Sequence, residues 1–299
     1  MDKGYSVLMS VYYKENPEWF RESIESMMNQ TVRTNDFVIV KDGKLTNELD
    51  EVISEYCKKY PDIFNIVELE KNMGLGLALA TGVLKCKNEL VARMDSDDYS
   101  VPDRCEKQLK KFNEDESLDI IGSSIAEFID DINNVKAYRI LPEKHEEILK
   151  YAKRRNPFGH PSVMFKKSKL LEAGNYRSYY LVEDYDMWIR MIENGCTCYN
   201  FKDILVYMRI SDDFYKRRGG SKYLKSMLKF KKEQYKKGFF SRKDYLISSG
   251  AHIFMCIIPN RCRNILYKKF LRKDVNGKKE QKKWWQKYNC SESRIMVYN

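Results

Sequence analysis

Over the first hundred residues, short apolar runs alternate with amphipathic segments regularly enough to predict elements. Residues 6–12 (SVLMSVY) read as a buried strand; after Pro17, apolar Phe20, Ile24, Met27 and Met28 recur at helical spacing. Residues 37–40 form a second strand-like run, 45–59 a second helical one and 63–67 a third strand. A helix over 75–85 follows, with Gly74 and Gly76 at its start, and then a fourth strand over 90–94. Such alternation predicts parallel βαβ units in an open α/β sheet. Ligands on these sheets bind outside the carboxyl ends of the strands, which selects the residues after Val11, Val40, Val67 and Met94 for inspection.

The second part is less regular. Residues 143–153 and 184–194 look helical, and 162–165 and 205–208 look like strands. After Lys216 the chain becomes long, basic and helical, with Tyr223, Leu224, Met227, Leu228 and Phe230 on one face. The 299 residues are 43% hydrophobic and 32% charged, which is ordinary for a globular protein large enough to bury a sizeable core. The placement of charge is not ordinary. Residues 216–299 hold 24 Lys/Arg against 5 Asp/Glu, a local charge of +19 within an overall +11. The preceding 215 residues are therefore net acidic, by −8.

The eight cysteines form no Cys-x-x-Cys pair, and Cys196 and Cys198 have no zinc-spaced partner. With no secretory leader at the start of the chain, they fit a reducing cytoplasm. No apolar stretch reaches the roughly 20 residues of a membrane span; the longest, 246–258, is interrupted by Ser248, Ser249 and His252.

Polar groups suited to a nucleotide stand at three of the four strand ends. After the fourth comes Asp95-Ser96-Asp97-Asp98, three carboxylates whose mutual repulsion a compact cation such as Mg2+ or Mn2+ would relieve. The same residues also suit an acidic turn, with Pro102 and Asp103 opening a helix nearby. After the second strand comes Lys41-Asp42-Gly43, whose carboxylate can accept from a pyrimidine imide or simply make an Asp-Gly turn. The third leads to Lys71-Asn72-Met73-Gly74-Leu75-Gly76, where glycines permit close backbone approach and Lys71 or the helix N-terminus can face a phosphate. Further on, Glu183-Asp184-Tyr185-Asp186-Met187-Trp188 places carboxylates at a helix start beside aromatic residues. That arrangement suits either a general base facing a sugar hydroxyl or plain macrodipole stabilisation.

In this order, and with residues 6–12 and Gly159-His160-Pro161-Ser162-Val163-Met164-Phe165, the set resembles glycosyltransferase family 2 over roughly residues 5–270. The run Phe214-Tyr215-Lys216-Arg217-Arg218-Gly219-Gly220 is similar to bacterial members that build capsule or O-antigen repeats. The resemblance implies the GT-A fold, a Rossmann-like open mixed sheet flanked by helices. Residues 1–215 would be the catalytic domain, with a nucleotide-sugar half to about 105 and an acceptor half over 106–215. It implies an inverting enzyme that moves a sugar from a nucleotide-diphospho-sugar, UDP-linked, to a lipid-linked saccharide in surface polysaccharide synthesis. Ser10 and Tyr12 would flank the nucleoside, Asp42 would read the base, and Lys71, Asn72 and Gly74 would line the donor. Asp95 would lie near the ribose and the metal, Asp97 would hold Mn2+ or Mg2+, and Asp184 would be the base, positioned by Glu183. Trp188 would wall the acceptor pocket, His160 would lie on the acceptor side or serve a structural role, and Arg217 and Arg218 would be able to touch a diphosphate. Lys41 stands where many members have an acid, adding a positive group near the phosphates, and Ala80 replaces a common Asn.

The basic helical extension over 216–299 interleaves Lys/Arg with Phe254, Ile257, Ile258, Leu266, Tyr267, Phe270 and Leu271, and carries Trp284 and Trp285. This suits an interfacial helix on an anionic membrane surface, a solvated extension, or a homodimer contact. A peripheral place on the cytoplasmic face of the cell membrane is expected. A nucleic-acid-binding role fits the sequence pI of about 9.0 but no recognised motif, and the carboxylate loop opposes it. A sugar-1-phosphate nucleotidyltransferase would need a Gly-rich loop after the first strand, where Tyr12-Tyr13-Lys14-Glu15-Asn16-Pro17 stands instead.

Overall fold

The computed structural model of the chain describes residues 4–211 and 219–259, together with 263 and 266. Its first four strands, β1 (Tyr5–Val11), β2 (Asp36–Lys41), β3 (Phe64–Glu68) and β4 (Leu90–Asp95), pair in parallel in the order β3-β2-β1-β4. Helices α1 (Pro17–Met28), α2 (Asn47–Lys59) and α3 (Leu75–Val83) connect them. Local chemistry sets each start. Asn16 caps α1 by accepting from the Glu18 and Trp19 amides, with Pro17 in the first turn, and Thr46 caps α2. Because β2 lies on one side of β1 and β4 on the other, the order reverses at β1, and Ser10 pairs in register with Asp95.

Beyond β4 the sheet continues as β8 (Met164–Lys166), β6 (Leu118–Ile129), β9 (Thr197–Arg209) and the short β5 (Tyr99–Ser100), with β7 (Asp131–Arg139) hydrogen-bonded to β6. The sheet is mixed: β8 runs antiparallel to β4 and β6, whereas β6 and β9 are parallel. The 12-residue β6 is buried along almost its whole length, so it lacks the alternation that marks a half-exposed strand. Residues 162–165, expected as one strand, divide into a 3-10 turn at His160–Ser162 and the start of β8. Pro161, which has no N–H to give a ladder, accounts for the break.

Two apolar clusters cover the faces of the sheet. Val7, Met9, Phe37 and Ile39 meet α1, α2 and α4 (Arg104–Glu114); Leu8, Val38, Val40 and Val91 meet α3 and α7 (Glu183–Glu193). Fully buried Arg104 donates to the carbonyls of Arg93 (2.8 Å) and Val163 (3.3 Å), and Gln108 to those of Ile121 (3.0 Å) and Ser162 (2.9 Å). Helix α4 thereby locks β4, the 3-10 turn and β6 together. Two smaller helices, α5 (His145–Ala152) and α6 (Lys167–Glu172), complete this part.

Two antiparallel-stacked helices follow, α8 (Gly220–Lys236) and α9 (Arg242–Ile257). Phe230 of α8 packs on Tyr185 of α7 with ring centroids 4.6 Å apart, so the helix pair rests on the α/β body. Arg263 donates to the carbonyls of Met255, Cys256 and Ile258, satisfying the C-terminal turn of α9. Among the described residues, no helix is long and apolar enough to cross a membrane.

The closest backbone approach lies at Gly76 in the first turn of α3. A Cβ there would stand 2.4 Å from the Arg177 carbonyl oxygen and 3.1 Å from the Glu183 Cβ. In an exposed helix, Gly→Ala stabilises by about 1 kcal/mol. Here Gly76→Ala is expected to destabilise by about 1–3 kcal/mol, read from urea unfolding midpoints, because backbone must move to admit the methyl group. A stabilised variant would contradict the close approach.

Candidate active site

β4 delivers three carboxylates to the end of the sheet: oxygens of Asp95, Asp97 and Asp98 lie within 4.8 Å of one another. Two residues earlier on the same strand, Arg93 is only 1% exposed and forms an ion pair with Asp95. The loop is fastened from several elements. Asp98 accepts from the Arg209 amide (2.8 Å), and the Arg209 guanidinium donates to the Asp97 carbonyl (3.0 Å) and to Glu22 (2.6 Å). That guanidinium also lies over the rings of Trp19 and Phe128. Ser96 donates to Glu15 (2.5 Å), and Ser23 of α1 to the Asp95 carbonyl (2.6 Å).

Burial and crowding make Asp97 and Asp98 reluctant to ionise. Burial, then the charges of Asp95 and Glu15, push the Asp97 carboxyl from its ordinary 3.8 up to about 8. Asp98 is raised for the same reasons, chiefly burial, then Asp97 and Asp95. Its second oxygen is buried with no hydrogen-bond partner among the described residues. Hard oxygen donors, crowded and partly unsatisfied, fit Mg2+ or Mn2+.

The residues expected on the nucleotide side gather at the neighbouring strand ends. Ser10 stands between Val40 and Asp95 in the ladder. Asp42 accepts from the Met73 (2.6 Å) and Gly74 (3.0 Å) amides, and Asn72 donates to the Asp42 carbonyl, so the carboxylate shapes the 71–74 loop. Gly43 and Gly74 adopt φ of +86° and +85°, and a Cβ on Gly43 would be 2.7 Å from the Asn72 amide nitrogen. Tyr12, Lys71 and Asn72 are exposed at the rim. Lys41 is engaged by Asp50 and Glu68, each at 2.7 Å, so the extra positive group expected near the phosphates is neutralised by its own neighbours.

Helix α7 brings the second pair of acids. Asp184 accepts from the Asn156 side chain (2.5 Å) and from the Tyr185 amide (2.7 Å). Glu183 is buried beneath it; burial, then the Asp184 charge, raise its carboxyl to about 8, so near neutral pH a proton rests on Glu183. Asn156 thus gives Asp184 a direct side-chain hold from outside α7. Immediately before α7, Leu181 takes a left-handed φ of +57°, leaving Tyr180 and Leu181 exposed beside the acids.

One expectation needs correction, and of the two roles open to His160 the structural one fits its position. Trp188 does not wall a pocket: it is 0% exposed, its ring packed edge-on against Phe158 and His160. It lies one turn below Asp184 on the same face, and that turn carries it from the surface into the core. His160 is likewise buried, 3.1 Å from the Tyr176 hydroxyl, and burial with the nearby Arg93 charge holds its pKa well below the ordinary value, so it is neutral. Arg217 and Arg218 lie outside the described residues.

The profile of Glycosyl transferase family 2 matches residues 6–172, more than half of the chain and the whole stretch from β1 through the carboxylate loop. This chain belongs to that family. Among its relatives, UDP-Gal:alpha-D-GlcNAc-diphosphoundecaprenol beta-1,3-galactosyltransferase of Escherichia coli is 38% identical over 269 residues, covering 90% of this chain and 97% of the relative. Amylovoran biosynthesis glycosyltransferase AmsE of Erwinia amylovora is 36% identical over 222 residues, covering 74% and 82%. The fold is similar to mannosyltransferase PcManGT of Pyrobaculum calidifontis, solved with GDP-Man and Mn2+ (TM-score 0.62, 11% identity, 99% and 82% covered). It is also similar to S. aureus TarS 1-349 with UDP (TM-score 0.56, 18% identity, 72% and 63% covered). The family 2 protein is thus a glycosyltransferase with the GT-A fold.

Sequence reasoning passed over Arg93, Arg209, Glu15 and Asn156. Arg93 alone left a signal, a lone charge inside a buried strand two residues before the carboxylates. Arg93→Met should destabilise by about 2–3 kcal/mol in urea unfolding, somewhat below the loss for a fully buried pair because Asp95 is partly exposed. Arg93→Lys should recover only part. The acids give a second expectation. A carboxyl with a raised folded-state pKa contributes stability that is complete below its ordinary value and is lost as pH rises through about 8. The metal-free protein should therefore lose Tm between about pH 5 and about pH 8, while the gain in Tm on adding Mn2+ grows over the same range. Scanning fluorimetry checks both trends, and a gain independent of pH would remove Asp97 from the cation site.

Proposed function

We propose that this glycosyltransferase moves a hexosyl group, with inversion, from a UDP-sugar to a hydroxyl of a lipid-diphosphate-linked saccharide in bacterial surface polysaccharide synthesis. The observation that carries this reading is the placement of Asp184. It is held by Asn156 at the start of α7, beside a protonated Glu183, and α3 abuts α7 through Gly76 at the end of the nucleotide-side loops. Near-complete two-way coverage by the E. coli relative supports the donor and acceptor classes.

In a single displacement, the acceptor oxygen attacks the anomeric carbon while Asp184 takes the hydroxyl proton. The bond from that carbon to the diphosphate oxygen breaks, and the nucleoside diphosphate departs with the electron pair. Glu183, kept neutral by burial and by the Asp184 charge, adds no second negative charge beside the base. Ser10, Tyr12, Asn72 and the 71–74 loop shaped by Asp42 line the nucleotide. A divalent cation held by Asp97 and Asp95 would supply positive charge where the diphosphate leaves. The 24 basic residues after position 215 support a place on the inner face of the cell membrane, where such an acceptor is anchored.

The test pairs two variants. Asp97→Ala should abolish Mn2+-dependent UDP binding in calorimetry. Asp184→Asn should keep UDP binding within about twofold while turnover falls by about 100- to 10,000-fold, since it removes a proton acceptor without altering the donor site. Screening nucleotide-sugars with Mn2+ for thermal stabilisation names the donor, because bound ligand raises Tm by mass action. Near-normal turnover of Asp184→Asn, or product with retained anomeric configuration by NMR, would overturn the mechanism.

A further inference from the structure

The helix pair α8–α9 buries Tyr223, Met227, Phe230 and Cys256, yet it also buries polar side chains and leaves a row of large apolar ones exposed. Between the helices lie Lys231 at 2% exposure, Gln234 at 0%, and Ser248 and Ser249, all buried. The Lys231 ammonium donates to the Ser248 carbonyl, while the Gln234 amide and both serine hydroxyls have no hydrogen-bond partner among the described residues. The outward face carries the large apolar side chains: Leu246 (57% exposed), Ile247, Ile253, Phe254 (58%) and Ile257 (73%). Positions 246, 250, 253 and 257 follow helical spacing, with 247 and 254 alongside, so they form one continuous stripe about 16 Å long. A helix pair surrounded by water would be expected to bury the leucines and expose the lysine.

We infer that the outward face of α9 inserts into an anionic lipid leaflet and docks the enzyme on the membrane surface, α9 lying in the plane of the interface. Charge selects the lipid over other occupants. Exposed Lys225, Lys229, Lys232, Lys236, Arg242 and Lys243 flank the stripe, and the two helices hold only Glu233 and Asp244 as acids. In a two-fold pairing of copies through this face, those cations would meet their own counterparts, and like charges oppose the contact. Anionic headgroups satisfy the same cations while the acyl region takes the stripe. Docking of this kind rests on the lipid-linked-acceptor reading for its purpose and not for its support.

Co-sedimentation of the full chain with phosphatidylcholine vesicles, with and without phosphatidylglycerol, tests the inference. The parent should bind vesicles containing phosphatidylglycerol. Phe254→Ser with Ile257→Ser should weaken that binding about tenfold or more, because two side chains leave the leaflet while no charge changes. Both positions are exposed, so circular dichroism and UDP binding should match the parent, which separates a docking failure from a failure of the transferase reading. Gly250, on the same stripe with open space around its Cβ position, offers a second variant. Gly250→Leu should bind vesicles at least as well as the parent, and Gly250→Asp more weakly. Undiminished binding by the double serine variant would show that the Lys-rich residues suffice and overturn the inference. A parent that ignores both vesicles, or that sediments as a dimer which the serine variant dissociates, would also overturn it.

Discussion

A guanidinium at 1% exposure on a central strand must find negative charge, and much of the site follows from how Arg93 does so. It pairs with Asp95, and its charge also lowers the carboxyls of Asp97, Asp98 and Glu183 against the larger upward push of burial. Burial, assisted by the same charge, keeps His160 neutral. One buried cation thus stands behind both acidic groups, the strand-end triad and the pair on α7. Without it, at least four carboxylates would share a low-dielectric region with little but Arg209 to offset them, and crowded like charges of that kind are strongly unfavourable.

Backbone closeness does the rest of the assembly. The 71–74 loop is drawn onto Asp42 by two amide hydrogen bonds, and α3 leaves it so near the 177–183 segment that only glycine fits at position 76. The 71–76 and 177–183 segments come from distant parts of the chain, yet they meet across a contact between main chains. Contacts of that sort tolerate little change, because no side chain is available to swing aside. Arg209 performs the same service at the far edge, tying the last strand to the loop after β4 through its own amide and side chain.

The helical extension is built on a different balance. Its inner face packs aromatics onto α7, as Phe230 on Tyr185 shows, and Tyr235 stacks on Tyr245 across the pair, but Lys231, Gln234, Ser248 and Ser249 are buried as well. Buried hydroxyls and amides without partners are costly, and a surface pair that accepts them while turning leucine, isoleucine and phenylalanine outward is poorly suited to water alone.

The sequence by itself determined the parallel βαβ half, because its apolar runs are short, buried and separated by amphipathic helices with capping residues. It also determined the strand-end acids, since carboxylates directly after a buried strand have few structural excuses. The ordered motifs sufficed to point to the family. Periodicity could not reveal β6, which is buried along nearly its whole length, nor the 3-10 turn that Pro161 imposes ahead of β8. The tertiary structure alone decided that Trp188 and His160 belong to the core, that Asn156 holds Asp184, and that Arg93 and Arg209 compensate the acids. Each of these depends on which atoms from remote segments become neighbours, and a one-dimensional pattern of polar and apolar residues does not encode distance. For the strand-end acids, the pattern named the carboxylates, but the fold supplied the burial and the counter-charge that set their chemistry.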